Sequence, residues 1–185
     1  MKTLIINGSP RKQGDTSALL SVLKAALTGE ITEISAYYDK ISPCIDCRHC
    51  WKTGKCAIRD KMDIIYGDDF DNVIIAAPVY MLNLPGPLLS LAGRFQAYYA
   101  AKRFLGAEPK IKGKNGALIL VGGGGGSADT AIVSARRMLK AMNARLDEED
   151  MIFSLNTDVV PASEDKTAIQ NVKNTARKLN GKNSR

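Results

Sequence analysis

Lys2-Thr3-Leu4-Ile5-Ile6-Asn7-Gly8-Ser9-Pro10-Arg11-Lys12-Gln13-Gly14-Asp15-Thr16-Ser17 is the stretch that decides the fold. Leu4-Ile5-Ile6 is apolar on successive positions and stops at Gly8-Ser9-Pro10, which reads as a short buried strand entering a turn. From Thr16 to about Leu27 the apolar residues at 19, 22, 23, 26 and 27 share one helix face, with Gly29 just past the end. The alternation continues outward. Glu30 to Ala36 reads as a strand at or near a sheet edge, Asp60 can cap a helix from Lys61 to about Phe70 with Met62, Ile65, Tyr66 and Phe70 inward, and Asn72 to Ala77 is apolar without alternation. An unbroken apolar run is what a strand covered on both faces requires.

Beyond the turn-rich segment Pro78 to Pro87, a single long helix is expected from Leu88 to about Phe104, ended by Gly106 and Pro109. Gly116 to Val121 is a second fully apolar strand, followed by the glycines 122 to 126 and a helix from about Asp129 to Met142. Met151 to Leu155 makes a fifth strand and Glu164 to Leu179 a last helix. Strand and helix alternate throughout, which predicts an α/β fold: a three-layer sandwich with a five-stranded parallel sheet of flavodoxin-like order 2-1-3-4-5. Ligands of such sheets bind beyond the carboxyl ends of the strands at the topological switch point, so the loops 8–16, 78–87 and 122–127 are the candidate site.

The 185 residues fit one domain, 1–185, interrupted by an ordered insert at 39–59 that holds all four cysteines, the only histidine and the only tryptophan. Apolar residues make up 45% and charged residues 24%, which excludes a disordered or collagen-like chain. The net charge of +7 is concentrated at the end: residues 166–185 hold six basic residues (Lys166, Lys173, Arg177, Lys178, Lys182 and Arg185) and no acidic one, and residues 1–165 carry 20 basic against 19 acidic groups. The tail reads as a solvated helix face with a frayed end, with no nucleic-acid partner implied. No window is long and apolar enough for a membrane span or a signal-peptide core, so a cytoplasmic protein with no membrane partner is expected. In a reducing compartment four cysteines point to metal binding or catalysis rather than disulfides.

The first loop joins a buried strand to a helix start, where backbone N–H groups and the helix dipole favour an anion. Ser9, Thr16 and Ser17 add hydroxyl donors and Arg11 a fork-shaped cation, a donor set suited to phosphate. Gly14 is followed by Asp15-Thr16 rather than Lys-Ser/Thr, so this is not a nucleotide-triphosphate P-loop, and no Gly-x-Gly-x-x-Gly dinucleotide fingerprint is present. Pro78-Val79-Tyr80-Met81-Leu82-Asn83 puts apolar side chains on a loop where a flat ligand can rest, and Gly122, Gly123, Gly124 and Gly125 allow close backbone approach to its polar edge. No histidine or carboxylate pair lies in the three loops, so no general acid or base is assigned.

Cys44-x2-Cys47-x2-Cys50-x5-Cys56 places four thiols within 13 residues. Three cysteines at this spacing followed by a fourth is a pattern of iron–sulfur ligation, with structural zinc and free thiols as the alternatives. His49 reads as an exposed loop residue, and Trp51 as a cover over the cysteine site or a subunit contact.

Gly8-Ser9-Pro10-Arg11-Lys12-x-Gly14-x-Thr16-Ser17, Ala77-Pro78-Val79-Tyr80 and the strand-Gly-Gly segment at 116–123 together resemble the NADPH-dependent FMN reductase family. The resemblance implies that Ser9, Arg11, Thr16 and Ser17 hold the FMN phosphate, that Pro78 to Asn83 line the isoalloxazine ring and that Gly122 to Gly125 close over its far edge. Asp15 departs from the family's usual Asn, so either its side chain turns away to cap the first helix or FMN affinity is reduced. The cysteine spacing resembles the compact motif of iron-sulfur flavoproteins, relatives that carry a [4Fe–4S] cluster. The implied activity is an FMN-dependent NAD(P)H oxidoreductase passing electrons to a quinone-like, flavin or other small-molecule acceptor. The alternative is an electron carrier serving a ferredoxin-like partner. The family further implies a homodimer or homotetramer, with the insert and the helix 88–104 as contact surfaces.

Overall fold

In the computed structural model, which describes residues 1–181, the strand β1 (Lys2–Asn7) occupies the second position of a five-stranded sheet. Its neighbours are β2 (Glu30–Ser35) on the edge and β3 (Asn72–Pro78) toward the centre, followed by β4 (Lys114–Val121) and β5 (Ala144–Ser154). All four pairings are parallel, giving the order 2-1-3-4-5 expected of a flavodoxin-like sandwich. β3 is buried at every one of its seven positions, the result of cover on both faces.

The two faces are read off residue parity. Leu4, Ile6, Val73, Ile75, Leu118 and Leu120 pack under α3 (Met62–Tyr66), α4 (Gly86–Gly93) and α6 (Asp129–Ala141). Ile5, Ile74, Ala76, Ala117 and Ile119 pack under α1 (Asp15–Ala26) and α7 (Lys166–Gly181), through Leu19, Leu23, Val172 and Leu179.

Three expected elements come out differently. The helix expected over 61–70 is only α3, because Gly67 is followed by Asp68 in a left-handed conformation (φ 57°) whose carboxylate bonds the Lys112 N–H and pairs with Lys114. The single helix expected over 88–104 is two, α4 and α5 (Gln96–Leu105). Between them the N–H groups of Arg94 and Phe95 bond three residues back, to Leu91 and Ala92, a tighter turn that breaks the axis. β5 is longer than expected because its charged first half is held by ion pairs in addition to Ala144 and Leu146 on the core. Lys178 gathers Asp147, Glu149 and Asp150, and the register jumps from Gly116↔Leu146 to Leu118↔Met151. That bulge needs glycine at 116, where a Cβ would stand 2.9 Å from the Arg145 carbonyl oxygen.

On α7, Lys166, Lys173 and Arg177 are exposed as expected, whereas Lys178 is drawn against β5. Lys182 and Arg185 lie outside the described residues. No helix among the described residues is long and apolar enough to cross a membrane.

Candidate functional site

The three nominated loops meet at the carboxyl edge of the sheet. In the first, Ser9 is buried: its hydroxyl accepts from the Arg11 N–H at 3.2 Å and donates to the Arg11 carbonyl, and its N–H donates to Asn7 Oδ1. Ser17 Oγ donates to the same carbonyl at 3.0 Å, so two serines fold the loop back on its own helix. Thr16 is buried in the first turn of α1. Gly14 brings no side-chain cap, so the amides of that turn stay available to an anion, whereas the Ser9 and Ser17 hydroxyl protons are engaged by the Arg11 carbonyl.

Arg11 is exposed and pairs with Asp15 at 2.8 Å. Asp15 does not cap α1. One carboxylate oxygen takes Arg11, and the other accepts the Ala162 N–H at 3.0 Å, tying the loop after β1 to the segment that leads into α7.

The second loop is a hairpin-like turn closed by mutual bonds between Tyr80 and Asn83. Its two central residues, Met81 (φ 48°) and Leu82 (φ 61°), are left-handed without being glycine or asparagine, a conformation that costs on the order of 1–3 kcal/mol per residue. The surroundings hold it there. Leu82 O accepts from Ala131 N, Asn83 Oδ1 accepts from Ser134 Oγ, and Val79 N donates to Val121 O. Met81 is left 97% exposed, with Tyr80 and Leu82 also outward, while Pro78 is buried beneath them.

The glycine loop lies alongside: a Cβ on Gly126 would touch Leu82. Gly124 (φ 75°) and Gly125 (φ 61°) are left-handed and pinned by Asp158 Oδ1 and Leu155 O, while Gly122 is bonded on both sides, to Ser154 and Thr157. A Cβ on Gly123 would press on Asp158.

Sequence reasoning passed over Tyr37 and Tyr38, which follow β2 onto this edge. The Tyr38 hydroxyl donates to the Pro10 carbonyl. Burial, with Tyr80 nearby, pushes the Tyr37 phenol up. Their signal was a pair of aromatics immediately after a strand end, the same signal that singled out Tyr80.

The four cysteines and Trp51 line one cavity of about 540 Å³. Cys47 stands between two left-handed residues, Asp46 (φ 48°) and Arg48 (φ 58°), which curl the run around it. Cys50 and Trp51 ride on the short helix α2 (His49–Thr53), where Trp51 stacks on Phe104 of α5 at 4.3 Å and Arg48 lies over the Trp51 ring. His49 is exposed, as expected.

No three of the four sulfurs lie within 4.8 Å of one another, whereas a tetrahedral zinc needs them about 3.8 Å apart. They still interact: burial first, then the neighbouring Cys44, Cys47 and Cys56, pushes the Cys50 thiol up.

The residue that sequence reasoning missed altogether is Arg94. It is wholly buried at the α4–α5 break and donates to the carbonyls of Ser42 and Ile58 and to Asp60 at 2.8 Å. Asp60 stands one residue before the Lys61 cap position of α3 and still accepts from Met62 N at 2.9 Å, and its other oxygen accepts from Ser42 N. Burial works against the Asp60 carboxylate, and the bonds from Arg94, Ser42 and Met62 outweigh it, holding its pKa below the usual range. The available signal was a charge at the Leu88-Leu91-Arg94 spacing of an apolar helix face.

The profile of the family described as NADPH-dependent FMN reductase matches residues 1–153. An iron-sulfur flavoprotein of Methanosarcina thermophila is 31% identical over 185 residues, covering 97% of this chain and 93% of its own. An iron-sulfur flavoprotein of Archaeoglobus fulgidus is 34% identical over 146 residues, 76% of this chain, and the match spans only 63% of that relative's length. Among solved structures, an FMN-dependent NADH-azoreductase of Bacillus anthracis in complex with FMN superposes with a TM-score of 0.66 at 20% identity, over 98% of this chain and all of the other.

Proposed function

The chain belongs to the NADPH-dependent FMN reductase family, in its iron-sulfur flavoprotein-like branch, and from that premise we propose a flavin oxidoreductase that binds FMN on the three loops and a [4Fe–4S] cluster in the insert. FMN supplies hydride and single-electron chemistry when bound, and a cluster supplies transfer of one electron at a time. Ser9, Arg11, Thr16 and Ser17, with the open amides of α1, hold the phosphate. Pro78, Val79, Tyr80, Met81, Leu82 and Asn83 line the isoalloxazine ring, and Gly122 to Gly125 approach its edge. Cys44, Cys47, Cys50 and Cys56 hold the iron. The names of the relatives and the FMN complex of the structural neighbour support this reading.

The observation that carries it is the cavity common to all four cysteines, whose sequence spacing is that of iron–sulfur ligation. It opens at the far end of α4 from the proline-tyrosine loop, and eight helical residues span about 12 Å, so the two sites are neighbours. Family membership supports NAD(P)H as the electron source, with a quinone-like, flavin or other small molecule as acceptor. The cysteine cavity favours a second reading, in which the exchange is with a ferredoxin-like protein.

Anaerobic mixing of the holoprotein with NADH or NADPH separates the two. Fast bleaching of the flavin supports the reductase, and no bleaching, with reduction by a low-potential ferredoxin instead, supports the carrier. Iron and sulfide analysis tests the cluster. Cys47→Ser is expected to lose the iron and keep the FMN, because the two sites draw on different loops.

A further inference from the structure

A buried guanidinium has five N–H donors to satisfy. In Arg94, Nη1 serves Ser42 O at 2.9 Å and Asp60 Oδ2 at 2.8 Å, and Nη2 serves Ile58 O at 3.0 Å. Nε is buried and has no hydrogen-bond partner. A buried N–H left unmet is destabilising, and both Nη atoms are bonded, so looseness of the side chain does not explain it. Arg94 lines the cysteine cavity, and Cys56 is close enough to act on the guanidinium as a hydrogen-bond acceptor and electrostatically, although Nε makes no well-formed bond to it. The N–H without a partner therefore belongs to the wall that holds the four sulfurs.

We infer that Arg94 tunes the cysteine site: with a cluster seated on the four cysteines, its Nε–H donates to the Cys56 sulfur or to an adjoining sulfide. The inference rests on the iron–sulfur reading given above. Hydrogen bonds to cluster sulfurs stabilise the more negative, reduced state and so raise the reduction potential. Asp60 already balances the guanidinium charge, which leaves the directed N–H as the part that acts on the cluster. The same side chain also positions the insert, because Ser42, Ile58 and Asp60 all return to it. A purely structural clamp accounts for those three bonds and leaves the fourth direction unexplained.

Arg94→Lys keeps a cation able to reach Asp60 and removes Nε–H. After anaerobic reconstitution with iron and sulfide, the variant is expected to hold FMN as the wild type does, to show a lower cluster potential and to release iron to a chelator about tenfold faster. A cluster whose potential and iron release are unchanged in the variant overturns the inference. Where the variant fails to hold FMN, the wild-type chain decides. In protein labelled with ¹⁵N-arginine, in an Arg48→Lys background that removes the other cavity arginine, pulsed EPR of the reduced cluster is expected to show a ¹⁵N coupling. Its absence sinks the inference and leaves the cluster reading standing. A wild type that assembles no cluster at all sinks both.

Discussion

The loop after β1 and the cysteine insert leave the same edge of the sheet and are held by opposite means. The loop is short, and its bonds are local. Ser9 and Ser17 fasten the Arg11 backbone within eight residues, and buried Thr16 seats the helix start on the core. The insert has no core of its own: from Ser35 to Lys61 not one residue is buried. It depends on the Arg94 junction at its base and on the Trp51–Phe104 stack at its flank. A hydrophobic seat forgives a lost hydrogen bond, whereas a polar tie buried at a single point does not.

The comparison can be broken from either side. Ile75→Ala, in the middle of β3, should lower global stability by about 2–5 kcal/mol in urea unfolding, with the rate of tryptic cleavage at Lys52 and Lys55 under native conditions unchanged. Were the insert to open as well, it would share the sheet's cooperativity. Asp60→Asn removes the charged partner of a buried arginine. A cost of about 1–3 kcal/mol is expected, confined to the insert and read as faster tryptic cleavage within 39–59 at an unchanged urea midpoint for the sheet.

Acid should act through the same carboxylate. Its folded-state pKa is held below the unfolded one, so its contribution is fully present above about pH 4 and is lost as pH falls through the lower, folded value. Amide exchange in 40–60 should rise in that window before the sheet unfolds.

On the loop side, Arg11→Ala should weaken FMN about ten- to a hundredfold by equilibrium fluorescence quenching. Asp15→Asn should do the reverse and more gently. An asparagine oxygen can keep the Ala162 bond while freeing Arg11 from an exposed pair worth about 1 kcal/mol at most, a tightening of up to roughly fivefold. Weaker binding in Asp15→Asn would show that the carboxylate orients Arg11 rather than competing for it.

Legibility in the sequence followed the same division. Strands such as Lys2–Asn7 and Asn72–Pro78, and the sheet order, were readable because burial writes apolar runs at fixed periods. The phosphate and glycine loops were readable as punctuation between those runs. What stayed hidden was held by polar contacts with no period. Arg94 looked like one more residue of a long helix, Asp60 like a simple cap, and the fifth strand was expected to begin only at Met151. The Met81-Leu82 turn carries none of the asparagine or glycine that normally marks a left-handed pair, because Ala131 and Ser134, distant in sequence, impose it.

Three handles returning to one guanidinium make the insert detachable in principle. The body asks only that Ser42, Ile58 and Asp60 arrive at their places, and it is indifferent to the contour between them. Lengthening that contour is cheap, about 0.6 kcal/mol for each doubling of a flexible loop. The base around Arg94 thus works as a socket, into which cysteine-bearing segments of other lengths would plug without disturbing the carboxyl edge of the sheet.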